Sequence, residues 1–161
     1  MSHAEKHKQL AAALGRIPSG LFVLTARRGH EETGMLASWV QQCAFQPPHI
    51  SVAVRRDREI AAWLTDGAAF TLNVLDESQT DMIVHFGRGF ALAEPAFEGL
   101  DVDHPAGGAP VLNEAHAYLV CHVAGRCQAG DHELLLGRVD AGRVLNDGHP
   151  MVHVRKSGFH Y

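Results

Sequence analysis

Three arginines, Arg55, Arg56 and Arg58, surround Asp57 directly after a strand-like stretch. They stand where a short helix over DREIAAWLTDG (Asp57–Gly67) would begin. A helix N-terminus presents unpaired N–H groups and the positive end of its dipole to an anion. Guanidinium groups bind phosphate oxygens two at a time. These residue types at this spacing therefore point to phosphate binding. Asp57 counts against it, because a capping carboxylate competes for the same donors. The competing reading is a solvated basic turn.

Other devices for chemistry are missing. The chain has no P-loop and no GxGxxG. It has no GxSxG elbow. It has no HExxH and no CxxC pair, so no zinc site is expected. Its 12 histidines are scattered rather than clustered, which argues for surface and strand-face positions over a metal centre. A cofactor that brings its own reactivity would leave few catalytic side chains to see. The three cysteines, Cys43, Cys121 and Cys127, make no disulfide framework. Cys121 and Cys127 on one strand would lie ~20 Å apart, far beyond the ~7 Å limit between bonded Cα atoms. Three buried, reduced thiols are the expectation.

The elements that must position such residues are mostly strands. A helix is expected through Leu14, stopped by Gly15. Leu21–Ala26 and Met35–Gln41 read as strands around a polar turn, Arg27–Thr33. Pro47-Pro48 breaks the pattern. Alternation at Ile50, Val52 and Val54 makes His49–Val54 a strand, and Phe70, Leu72 and Val74 mark another. Ser78 and Asp81 resemble a capping box for a helix carrying Met82, Ile83 and Phe86. Gly87–Ala109 is a long loop, of a kind that is often functional. Ala115–Gln128 and His132–Arg143 pair across an Ala129-Gly130-Asp131 turn, and Pro150–Arg155 is a last strand. Seven strands without regular βαβ alternation exclude a doubly wound parallel sheet. A mainly β antiparallel barrel with two or three appended helices fits better.

The 161 residues suffice for one domain with one core, residues 1–161. A net charge of -4 does not suit a nucleic-acid binder. No apolar run approaches the ~18–20 residues of a membrane span. The N-terminal MSHAEKHKQLAAALGRI lacks the apolar region of a signal peptide. A cytoplasmic location, with neither nucleic acid nor membrane as partner, is the expectation.

A set of ordered motifs resembles the flavin-reductase split-barrel family. It comprises Gly15-Arg16, Ser19-Gly20-Leu21, the run from Gly34 to Val40, Gln42, Phe45 and Pro47-Pro48. It continues through Val52-Ala53-Val54, Asp57-Arg58, Leu72-Asn73-Val74-Leu75 and His85-Phe86. Ala117-Tyr118-Leu119, Gly130-Asp131-His132, Gly142-Arg143-Val144-Leu145 and His153–Tyr161 complete it. Within the family the chain looks most similar to the C-terminal flavin-reductase module of flavodiiron proteins. The resemblance implies an antiparallel Greek-key split barrel (the FMN-binding split barrel) that binds FMN rather than FAD, uses NAD(P)H as donor and pairs as a homodimer.

It also implies a site. Ala37, Ser38, Trp39, Val40, Cys43, Ala44, Phe45 and Val54 would line the flavin. Small residues in that run let backbone N–H groups approach a flat ring, although Trp39 and Phe45 also suit a plain core. Cys43 departs from the serine common in the family, and a thiol is the poorer hydrogen-bond partner. Arg55, Arg56, Asp57 and Arg58 would hold the phosphate. His85, Phe86 and Arg88 would pack near the flavin. His132 would lie on the open flavin face, where a nicotinamide ring stacks, as the one candidate catalytic side chain; otherwise it is a turn histidine. Hydride transfer needs two rings held close more than it needs an acid or base. The function implied is NAD(P)H-dependent flavin reduction, passing electrons to free flavin, a partner oxygenase or another acceptor. A non-enzymatic FMN electron carrier, reduced by a partner protein, is the alternative. A split barrel that holds another ligand or has lost its cofactor is a third.

Overall fold

A computed structural model describes all residues, Met1–Tyr161. It begins with helix α1 (His3–Gly15), opened by a capping box in which Glu5 N–H donates to Ser2 Oγ at 3.2 Å. The strands that follow are β1 (Ser19–Gly20), β2 (Phe22–Arg28), β3 (Glu31–Ala37), β4 (Val40–Phe45), β5 (Pro48–Arg55) and β6 (Ala69–Val74). Helix α2 (Thr80–Gly87) comes next. Then come β7 (Val102–Asp103), β8 (Val111–Leu112), β9 (Ala117–Ala129), β10 (His132–Val144) and β11 (Val152–His153).

Seven strands form one antiparallel sheet in the order β3-β2-β6-β9-β10-β5-β4. Strand β2 explains why Leu21–Ala26 reads as a continuous apolar run: both of its faces are covered. Leu24 and Ala26 join the main core with Val52, Val54, Phe70 and Leu135. Leu21 and Val23 join a second core with Met82, Phe86, Ala96 and Leu112. Each fully buried side chain of this size contributes ~2 kcal/mol. The stretch Gly87–Ala109 builds that second core rather than hanging free, because Phe90, Phe97 and Leu100 pack against it. Asn73, fully buried, pins the stretch that follows: its Oδ1 accepts from Leu112 N–H at 2.9 Å and its Nδ2 donates to Val23 O at 3.2 Å. No helix is long and apolar enough to cross a membrane.

Several expectations need correction. The turn Arg27–Thr33 shrinks to Gly29-His30, because β2 and β3 stay paired out to Arg28 and Glu31. Met35–Gln41 is not one strand. It breaks at Ser38-Trp39, where the chain leaves β2 and crosses to β5, and Ala53 N–H donates to Trp39 O at 3.0 Å. Pro150–Arg155 supplies only β11, which pairs with β1 outside the main sheet. The helix expected from Asp57 is a single 3-10 turn, Glu59–Ala62, with no side-chain cap. Four residues have no macrodipole worth invoking, so only the guanidinium half of the phosphate argument survives. The Ser78 capping box does not form, because Ser78 Oγ–H donates to Asp76 Oδ1 at 2.6 Å and α2 begins at Thr80 uncapped. Gly15 does end α1, but it is required by close approach: a Cβ there would stand 2.7 Å from Arg155 O. Of the three thiols only Cys121 is buried; Cys43 lies on the edge strand β4 and Cys127 near the outer end of β9, and both are exposed.

Candidate functional site

The break between β3 and β4 places a buried hydroxyl beside a cavity. Ser38 is 7% exposed, and its Oγ has no hydrogen-bond partner. A buried hydroxyl without a partner is costly and marks a place where a ligand's polar atom could complete it. Ser38 lines a cavity of about 290 Å³ with apolar walls from Leu21, Met35, Leu36 and Ile83 and a polar rim of Arg55, Arg58, His153 and Tyr161. Gly89, at φ 78, leaves room for the Arg58 guanidinium packed against it.

A second cavity of about 260 Å³ adjoins it, since Arg55 and Tyr161 line both. Its other walls include Trp39, Asp131, His132 and Arg155. His132 follows the Gly130 turn (φ 62) as the first residue of β10. Its ring is buried, with the centroid 4.8 Å from that of Trp39. Nδ1 lies 2.8 Å from Asp131 Oδ1, and Nε2 lies 3.2 Å from the Tyr161 hydroxyl. The His132 hydrogen bond holds the Asp131 carboxyl below its ordinary range. An ionised carboxylate only accepts, so Nδ1 carries a proton, and in the neutral ring the Nε2 lone pair accepts from Tyr161 O–H. Partial burial pushes the Tyr161 phenol up, against the pull of Arg155, Arg58 and Arg55. The Tyr161 ring is 5.7 Å from Trp39, and the Arg155 guanidinium lies 4.8 Å over the Trp39 ring.

These features place an apolar cavity, a buried hydroxyl and a cationic rim next to one another. Residues 14–160 match the family described as flavin reductase like domain. The chain belongs to that family. A Nostoc sp. protein of the diflavin flavoprotein A series is 43% identical over 151 residues, which is 92% of this chain and 26% of that protein. Diflavin flavoprotein A 1 of Synechocystis sp. is 40% identical over 154 residues, 94% of this chain and 27% of that one. The domain thus spans about a quarter of the length of these curated relatives. Among solved structures, the NADH:FAD oxidoreductase SgcE6 of Streptomyces globisporus superposes with a TM-score of 0.85 at 25% identity, over 97% of this chain and 92% of that one. The same oxidoreductase has been solved with NAD and FAD fragments.

Not every expected residue of the flavin reductase-like domain meets at the two cavities. Ser38, Trp39, Arg55, Arg58 and His132 do. Ala37 and Val54 are core residues behind the site. Val40 lines a third, more open hollow, which shares Ser38 and Trp39 with the two cavities. Cys43 is the unpaired residue of a bulge in the β4–β5 pairing, and Ala44 and Phe45 run on along the sheet edge, where Phe45 is 89% exposed. They line neither cavity. Arg56 turns away: its guanidinium donates to Gly130 O and its N–H to Asp131 O, tying β5 to the hairpin turn. Asp57 is exposed and pairs with Arg55 at 3.2 Å. Helix α2 offers Ile83 and Gly87 to the cavity instead of the expected side chains. His85 hydrogen-bonds Ala96 O at 2.8 Å, Phe86 is core, and Arg88 stacks on Phe90 at 4.0 Å while pairing with Glu94.

His153, Arg155 and Tyr161 were missed as site residues, although the ending His153–Tyr161 carried part of the family resemblance. Another hollow of about 420 Å³, beside residues 92–98, is lined by Glu31, Glu32, Glu94 and Glu98. Four carboxylates repel a phosphate, so this hollow does not suit an anionic ligand.

Proposed function

We propose that this domain binds FMN at the arginine-rimmed cavity beside Ser38, takes the nicotinamide of NAD(P)H at the adjoining cavity of Trp39 and His132, and acts as an NAD(P)H-dependent flavin reductase. The observation that carries the reading is the unpartnered, buried Ser38 Oγ between an apolar slot and the Arg55–Arg58 pair. Each cavity alone is at or below the ~300–1,000 Å³ usual for ligand pockets, which favours the smaller flavin, FMN, over FAD. In this reading Arg55 and Arg58 bind the phosphate, as charge-assisted contacts. Ser38 Oγ pairs with a polar atom of the flavin. Trp39 and the apolar wall exclude water. When bound, the flavin supplies two-electron chemistry that the side chains lack. His132, its Nδ1 proton held by Asp131, presents the Nε2 lone pair to a donor such as the carboxamide N–H of a nicotinamide. Ring proximity then does most of what hydride transfer needs.

The fold is taken as the antiparallel split barrel, because β3 and β5 come together although they are far apart in the strand order. A homodimer is part of the same proposal. The edge strand β4 with its exposed Phe45 supplies an unpaired edge of the kind a second copy can cover. The electron acceptor, whether free flavin, an oxygenase or another protein, is read by assay.

Purified protein decides the reading. A yellow chain whose FMN is bleached by NADH or NADPH alone supports the reductase. A yellow chain inert to both nucleotides but reduced by a redox partner makes it the electron carrier instead. A His132→Ala protein with full FMN content and undiminished NAD(P)H oxidation would remove His132 from the mechanism.

A further inference from the structure

Tyr161 is the partition between the two cavities, and its contacts are those of a ligand. Its ring packs 5.7 Å from Trp39, tilted by 38°. Its hydroxyl lies 3.2 Å from His132 Nε2, which the Asp131 contact leaves as an acceptor. Tyr161 as a residue is nonetheless 66% exposed, and it belongs to neither core cluster. The segment leading to it is anchored behind: Gly158 N–H donates to Ala11 O at 2.7 Å, and Phe159 stacks on His7 at 4.6 Å. The anchor lies on α1 and the ring lies on the slot, with only His160 between Phe159 and Tyr161. Rotation about the Tyr161 side-chain torsions alone moves the ring off the slot while the anchor stays in place.

A nicotinamide brings the same two recognition elements, a flat aromatic ring and an N–H donor on its carboxamide. We infer that Tyr161 holds the nicotinamide's place against Trp39 and His132 and is displaced by it, so that Tyr161 sets the affinity for the nucleotide. The inference rests on the reductase reading above. Displacement exchanges one ring contact and one hydrogen bond for another pair, so the nucleotide gains only what it makes beyond them. Each such contact is worth a few-fold to tenfold in affinity.

The test is NAD+ binding to the protein as purified, by calorimetry, with oxidised nucleotide so that no turnover occurs. Tyr161→Ala should bind NAD+ about tenfold more tightly than the parent. Tyr161→Phe, which keeps the ring and loses only the hydroxyl, should fall between them. In ¹⁵N spectra, Nε2 of His132 should stand at its unbonded position in free Tyr161→Phe and move to a bonded one when NAD+ brings its carboxamide N–H, while in the parent it should be bonded both before and after NAD+ is added. Affinity unchanged or weaker in Tyr161→Ala, with His132→Ala still losing nucleotide, would overturn the inference and leave the nucleotide site standing. No NAD+ binding by any variant would overturn both; flavin absorbance on the same samples reports whether the flavin half survives.

Discussion

His132 Nδ1 sits 2.8 Å from the Oδ1 of its own neighbour in sequence, Asp131. One peptide bond thus joins an imidazole to the carboxylate that selects its tautomer. The Asp131 side chain is 80% exposed while that of His132 is 9% exposed. The buried ring is therefore oriented from the solvent side, and its other nitrogen is left to face the slot. Arg56 braces the same turn from β5, through bonds to Gly130 O and Asp131 O. This is why an arginine expected at the phosphate is found at the hairpin.

The pair predicts a pH dependence. The His132 hydrogen bond lowers the Asp131 pKa in the folded chain. A depressed folded pKa stabilises above the unfolded value, ~3.9 for Asp, and the stabilisation is lost as pH falls through the folded value. Asp131→Asn should therefore melt slightly below the parent at pH 7. The difference should shrink as pH drops below about 4. Thermal melts of both proteins from pH 7 to pH 3 check it, and a constant difference across that range contradicts it.

Arg55 is shared between the cavity rim and Asp57, 3.2 Å away at a half-exposed pair. Such a pair contributes little to stability, but it competes with a phosphate for the same guanidinium. Asp57→Asn should tighten FMN binding a few-fold, while Arg55→Ala with Arg58→Ala should weaken it by roughly tenfold to a hundredfold, at ~1.5–3 kcal/mol for a hydrogen bond to a charged group. Flavin fluorescence titrations measure both. Unchanged FMN affinity in the double variant removes the phosphate assignment.

Local pattern was enough for most of the sheet. The β9–β10 hairpin was legible because two long strand-like runs flank a turn with a glycine at φ 62. Arg55 and Arg58, singled out by type and position, do line the cavity rim, and His132, singled out by the resemblance, lines the second cavity. Phe45 was misplaced because alternation along Gly34–Pro48 says nothing of the break at Ser38-Trp39 or of the bulge between Gln42 and Ala44, which together set which side chains face inward. Tyr161 was invisible for another reason. Its partner His132 is 29 residues away, and its neighbours on the site come from β3–β4 and β5. A contact of that separation depends on the strap Arg155–Tyr161 folding back over α1, which no local periodicity encodes.

The cysteines predict a thiol titration. Burial pushes the Cys121 thiol up to about 12, so almost none is thiolate near neutrality. Cys43 and Cys127 are exposed, and the thiolate is the reactive species. A disulfide reagent at pH 8 should therefore modify two thiols per native chain quickly, and the third only after denaturant is added. Three fast thiols in the native protein would mean that β9 opens far more readily than its place in the main core allows.

The strap gives the last prediction. Gly158 lies so close to α1 that a Cβ would stand 2.1 Å from Leu14 Cβ and 3.2 Å from Ala11 O. Neither is the free end of a flexible side chain, so Gly158→Ala must lift the strap or push the helix. Overpacking of this kind costs about 1–3 kcal/mol. The strap has few anchors besides Arg155 N–H to Gly15 O at 3.1 Å and Gly158 N–H to Ala11 O at 2.7 Å, so it should yield before the sheet does. The expected outcome is a small fall in melting temperature with faster tryptic cutting after Arg155 and Lys156, followed by mass spectrometry. Trp39 should lose the Arg155 contact at the same time, read as a change in its fluorescence. A Gly158→Ala chain cut no faster than its parent would show that α1 moves instead, and that the strap is the firmer of the two.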